Sequence, residues 1–178
     1  MTLTLFDILL AAGFAAFVGL SAHRKLSGFI NGLAALLLFR PLLAIFEGNL
    51  YVALILALVA GVLLGLGCRF LPLTQRSLDV PLAILGGVGG TFLGVLLVLV
   101  SITSLPLGRN VNNQISYPSA ELSTPLLAAA RRSPLVEIGR DIVLYPLLEP
   151  TGQITEGSKG MYRALHDFLV IGRPWERS

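Results

Sequence analysis

Apolar residues come in long runs along this chain. From Leu3 to Ala22, Leu26 to Phe46, Leu50 to Phe70 and Pro81 to Leu105 charges are rare, and from Leu82 to Leu105 there are none. A helix needs ~20 apolar residues to cross ~30 Å of hydrocarbon, so each run is long enough to span a bilayer. The pattern predicts an all-α polytopic membrane protein whose residues 1–105 form four transmembrane helices, at about 3–22, 26–46, 50–70 and 81–105. Polar breaks separate them: His23-Arg24-Lys25, Glu47-Gly48-Asn49, and the stretch from Arg69 through Arg76 to Asp79. Short connections make antiparallel neighbours. Arg40-Pro41 interrupts the second run near its end, which predicts a kink or, in the extreme, a segment that re-enters without crossing. Asp79 followed by Pro81 supplies an N-cap and an early proline for the fourth helix.

Glycine is placed with the same regularity. Gly86, Gly90 and Gly94 recur every fourth residue, and Gly61 and Gly65 form a GxxxG pair. Such spacing puts them on one helical face, where backbones can approach closely in a solvent that gives Leu against Leu little advantage over Leu against lipid. They are read as helix-packing residues in preference to a pore lining. Ala11, Ala15 and Gly19 in the first span, and Gly28 and Gly32 in the second, repeat the device. These seams exceed what one four-helix bundle must use, so a homo-oligomer is a reasonable expectation.

Residues 106–178 change character. Pro106 to Ser123 is rich in Asn, Ser, Gln and Pro, without an apolar period, and reads as a loop. Thr124-Pro125 and Ser133-Pro134 each pair a capping residue with a first-turn proline and predict short helices. In the second of these, Leu135, Ile138, Ile142 and Tyr145 share a predicted apolar face, and a last amphipathic helix is expected over Lys159 to Ile171, with Tyr162, Leu165, Phe168 and Leu169. The tail is thus an α-helical amphipathic unit.

Composition narrows the function classes. Hydrophobic residues make up 54% of the chain and charged ones 13%, with a mean hydropathy of +0.81, so the lipid bilayer is the first partner. A net charge of +3 does not form a basic stripe, and no nucleic acid partner is expected. A single cysteine, Cys68, and two histidines provide no disulfide framework and no metal-ligand spacing. No catalytic, cofactor-binding or metal residue is assigned, because no nucleophile elbow, zincin or phosphate-loop motif occurs. Asp7 and the lack of a basic n-region argue against a cleaved signal peptide. His166-Asp167 reads as solvated surface, His23 as interfacial and Cys68 as a small packed hydrophobe.

Asp7 and Arg40 are the two charges in apolar surroundings, where each costs ~2.5–3.5 kcal/mol on insertion scales. Both lie near the same membrane surface in an antiparallel arrangement. A structural intramembrane ion pair is the favoured reading, ahead of separate snorkelling and of a proton or ion relay.

With the spans placed, the chain resembles the colicin V production protein (CvpA) family of bacterial inner-membrane proteins. The resemblance rests on Phe6-Asp7 opening the first span, Gly19 then Arg24 and Gly28-Phe29 across the first turn, Leu78-Asp79 with Leu85-Gly86 opening the last span, and Ser133-Pro134-Leu135 in the tail. It covers residues 5–148. Where that family often carries a base after Leu-Asp and an acid after Gly-Phe, this chain has Val80-Pro81 and Asn31. The resemblance implies support of colicin V (toxin) production or export and of the envelope, through a non-enzymatic scaffold that holds an envelope or secretion partner. A small oligomeric transporter or channel is the second expectation, and a membrane-embedded enzyme the third.

Cytoplasmic loops are enriched in Lys and Arg, so the side holding Arg24, Lys25, Arg69 and Arg76 should be cytoplasmic, with both termini and the tail extracytoplasmic. A reporter active only outside the cytoplasm, fused after Ser178, is therefore expected to be active. Activity of a cytoplasm-only reporter there would overturn the arrangement.

Overall fold

The computed structural model describes residues 4–67, 79–110, 112–120 and 124–176, with backbone alone for Asp79 and residues 124–127. Its elements in order are α1 (Leu5–His23), α2 (Leu26–Ile45), α3 (Leu50–Gly67), α4 (Asp79–Thr103), β1 (Gly108–Arg109), β2 (Ile115–Ser116), α5 (Thr124–Arg132), α6 (Pro134–Val143), α7 (Tyr145–Leu148) and α8 (Lys159–Leu169), with 3-10 turns at Glu156–Ser158 and Pro174–Glu176. Among the described residues, four helices are long and apolar enough to cross a membrane. The fold is all-α and polytopic. The α2 helix continues unbroken through Pro41 over 20 residues, enough to span. The expected run of the third span to Phe70, the packing of Cys68, the bases Arg69 and Arg76, and the side-chain cap from Asp79 lie outside what is described.

Two compact units divide the chain, Leu10–Val98 and, separately, residues 1–9 with 99–178. In the first, α2 and α3 form a hairpin that turns through Glu47 and Gly48, both at positive φ. Four small residues of α3, Ala53, Ala57, Gly61 and Gly65, recur every fourth position and are all buried. Opposite them, α2 buries Asn31, Ala35, Phe39 and Leu43 at the same interval. A methyl group at Gly61 would strike Asn31, and one at Gly65 would come within 2.9 Å of the Ser27 carbonyl. That antiparallel register sets Ala57 opposite Ala35 and Ala53 opposite Phe39, so the large ring meets the small side chain. Ser27 Oγ also donates to the Gly65 carbonyl at 2.7 Å.

The α4 helix meets two neighbours with two rows of glycine. A Cβ at Gly86 would collide with Ser21 and Lys25, one at Gly90 with Phe17 and Val18, and one at Gly94 with the Phe14 ring, so this row lies against α1. Gly89 lies instead against Gly28 and Phe29 of α2, and Gly32 of α2 lies against Gly89.

The tail unit has its own core. Tyr117, Ala130, Val136, Val143, Leu144 and Trp175 are buried together, with Phe6, Leu105 and Leu107 packed against them. The 106–123 stretch, read as loop, contains a two-residue antiparallel ribbon pairing Gly108 with Ser116 and Arg109 with Ile115. Asn113 closes it at positive φ, a conformation that asparagine tolerates better than most residues. The buried side of α6 also differs from expectation. Val136, Gly139, Ile142 and Val143 are buried, whereas Ile138 is exposed. The reason is Gly139, whose missing side chain lets α6 close on the backbone of Ile102 and turns the buried stripe by one position.

These contacts separate adjacent glycines. Gly90→Leu must displace the α1 backbone and is expected to lower stability by about 1–3 kcal/mol, the usual cost of overpacking. Gly87→Leu should cost far less, since the nearest atom to an added Cβ is the Ala22 methyl at 3.9 Å. Thermal unfolding in detergent measures both, and equal losses would refute the assignment.

Candidate functional site

The sequence Thr4-Leu5-Phe6-Asp7 folds into a reciprocal cap at the start of α1. Asp7 Oδ2 accepts from the Thr4 amide at 2.8 Å and from Thr4 Oγ1 at 2.7 Å, and the Asp7 amide donates back to Thr4 Oγ1 at 3.3 Å. Such a box satisfies amide groups that the first helical turn leaves without partners. The other oxygen, Oδ1, accepts from Ser133 Oγ at 2.5 Å. Ser133 is at the same time the N-cap of α6, accepting from the Val136 amide at 3.2 Å, and the Leu135 amide also faces the Asp7 carboxylate. One acidic side chain therefore stands at the N-termini of two helices, where the macrodipole favours negative charge.

Burial makes this arrangement consequential. Asp7 is only 2% exposed and Ser133 3%. A carboxylate removed from water is strongly unfavourable unless hydrogen-bonded, and here both oxygens are. Neither oxygen has Arg40 as its hydrogen-bond partner. Arg40 belongs to the other unit, and its Nη1 is buried without a hydrogen-bond partner among the described residues. Within its own unit, Asp7 is held by the neutral donors Thr4 and Ser133.

A second tie joins Tyr117, whose hydroxyl donates to the carbonyl of Ile102 near the end of α4. Arg109 donates from Nη2 to the Trp175 carbonyl at 3.1 Å, joining the ribbon to the last 3-10 turn. His166 departs from its expected solvated state. Its side chain is 12% exposed, with the Tyr145 ring centroid 6.2 Å away and Nδ1 3.4 Å from Asp167 Oδ1. Burial, reinforced by Glu149, raises the Tyr145 phenol above its ordinary range, so it stays protonated at neutral pH.

Of the residues singled out from sequence, Gly61 and Gly65 face α2, and Gly86, Gly90 and Gly94 face α1. Thr4, the second role of Ser133, the alanines of α3 and Gly89 were not anticipated. The signals were present as a Thr-x-x-Asp box, an Ala-x-x-x-Ala extension of the GxxxG pair and the doubled Gly-Gly of α4. Among the described residues, no group of three His, Cys, Asp or Glu is placed to hold a metal ion. No family model, curated protein or solved structure matched the chain.

A double-mutant cycle tests the carboxylate node. Ser133→Ala deprives a buried carboxylate of a donor and should cost about 1–3 kcal/mol. Its coupling to Asp7→Asn should fall within the ~0.5–3 kcal/mol typical of groups in contact and exceed the coupling of Asp7→Asn with Arg40→Gln. A larger Asp7–Arg40 coupling would restore the ion pair.

Proposed function

We propose that this chain is a CvpA-like scaffold of the bacterial cytoplasmic membrane, with the tail outside the cytoplasm, that supports toxin production or export and envelope function by holding an envelope or secretion protein. The observation that carries this reading is the build of the tail unit. It has its own core and is fastened to the start of α1 through Asp7 and Ser133 and to the end of α4 through Tyr117 and Ile102. A small body with its own core presents a folded surface, which suits holding a partner. The orientation is supported by Arg24 and Lys25 in the α1–α2 turn.

One observation favours the second reading, a small oligomeric transporter or channel. Among the described residues, Arg40 Nη1 and Asn31 Oδ1, both in α2, are buried without hydrogen-bond partners. Polar atoms in a spanning helix that lack partners commonly face another helix or a water-filled path.

Crosslinking in native membranes followed by mass spectrometry distinguishes the two. The scaffold predicts a product between residues of the tail and a distinct envelope protein. Products between copies of this chain alone would reject it in favour of the oligomer.

A further inference from the structure

A cavity of about 410 Å³ opens in the tail unit between the Tyr117-Pro118 segment and the junction of α5 with α6. Among the described residues, Arg131, Arg132 and Arg140 line it with one acid, Glu137. Arg140 is already engaged, 2.9 Å from Asp141 and 3.9 Å from Glu137. Arg131 and Arg132 are exposed, and among the described residues neither has an ion-pair partner. Their place in the last turn of α5 favours its dipole, which accounts for two basic residues there. It does not account for their convergence with a third arginine around one cavity. The α6 amides contribute little to such a site, since Pro134 has none, Leu135 faces Asp7 and Val136 bonds Ser133. The guanidinium groups carry it.

Depth narrows the ligand. Ser133 in the cavity wall bonds Asp7 in the first turn of α1, and Tyr117 in the same wall bonds Ile102 in the last turn of α4. In a chain of four antiparallel spans, the start of the first and the end of the fourth reach the same membrane surface. The cavity wall is therefore tied to the ends of two helices that are long and apolar enough to cross a membrane, and a membrane surface presents phosphate in its headgroups. Arginine forks match phosphate oxygens in bidentate geometry. We propose that this cavity binds a phosphate group, carried by an anionic lipid headgroup or by free phosphate.

Calorimetric titration of the purified full chain in a neutral detergent tests it, with short-chain phosphatidylglycerol and inorganic phosphate as separate probes. Saturable binding is expected, weakened at least about tenfold by Arg131→Ala with Arg132→Ala, the scale set by losing charge-assisted bonds. Arg173→Ala, at an exposed residue paired with Glu176, should leave affinity unchanged. Saturation by inorganic phosphate with the same sensitivity to the arginines identifies free phosphate as the source. Saturation by phosphatidylglycerol alone identifies the headgroup. Absence of saturable binding by both probes, unchanged affinity in the double variant, or an equal loss in Arg173→Ala overturns the proposal. Should the double variant not fold, as judged by Trp175 fluorescence, Arg131→Gln and Arg132→Gln made singly carry the same test, each expected to weaken binding several-fold.

Discussion

The buried carboxylate of Asp7 is the constraint on which the tail depends. A carboxyl group at 2% exposure needs hydrogen-bond partners, and the chain supplies them from Thr4 beside it and from Ser133, 126 residues further along in the tail. The bond to Ser133 is therefore a long-range contact that a slipped packing of the tail could not retain. Loss of the Ser133 partner would leave Asp7 with a donor fewer while still buried, so the tail's placement on the start of α1 is specified by a polar group as well as by its apolar core. Phe6, the neighbour of Asp7, packs against that same core.

Within Leu10–Val98 a different force decides. Lipid removes most of the hydrophobic gain from helix association, leaving close packing and interhelical hydrogen bonds as the sources of specificity. Both are present at the α2–α3 contact, where Gly65 admits Ser27 and its carbonyl accepts the Ser27 hydroxyl. The every-fourth spacing of small residues on α3 against larger ones on α2 fixes register, because sliding by one residue would place side chains where backbone now approaches backbone. The two rows on α4 extend the logic, since adjacent residues Gly89 and Gly90 serve α2 and α1 respectively.

Spans and seams were legible in the sequence because a bilayer demands a long apolar run and a small residue at each close approach, and both are local patterns. The start of α6 was also legible, from Ser133-Pro134. The bond from Ser133 to Asp7 was not, because a neutral donor far along the chain leaves no local trace. The local Thr4 half of the node was readable as a capping box; the Ser133 half required the tertiary fold. The α6 stripe was misjudged for a related reason. Hydropathy weighted Ile138 and ignored Gly139, yet backbone approach at the glycine determines which side faces inward.

Ser133 shows how a short segment can join these levels. Its carbonyl accepts from the Glu137 amide, its hydroxyl accepts from Val136 and donates to Asp7, and its chain neighbours Arg131 and Arg132 carry exposed charge beside the cavity. The hydroxyl thus fixes where α6 begins, and the proline after it restricts the backbone at the α5–α6 junction. Guanidinium groups on long flexible stems gain specificity only when the backbone carrying them is immobilised, since otherwise the entropy of ordering them opposes binding. A buried serine tied to a buried carboxylate provides that immobilisation one residue from Arg132, so the group that anchors the tail also holds its basic residues in position.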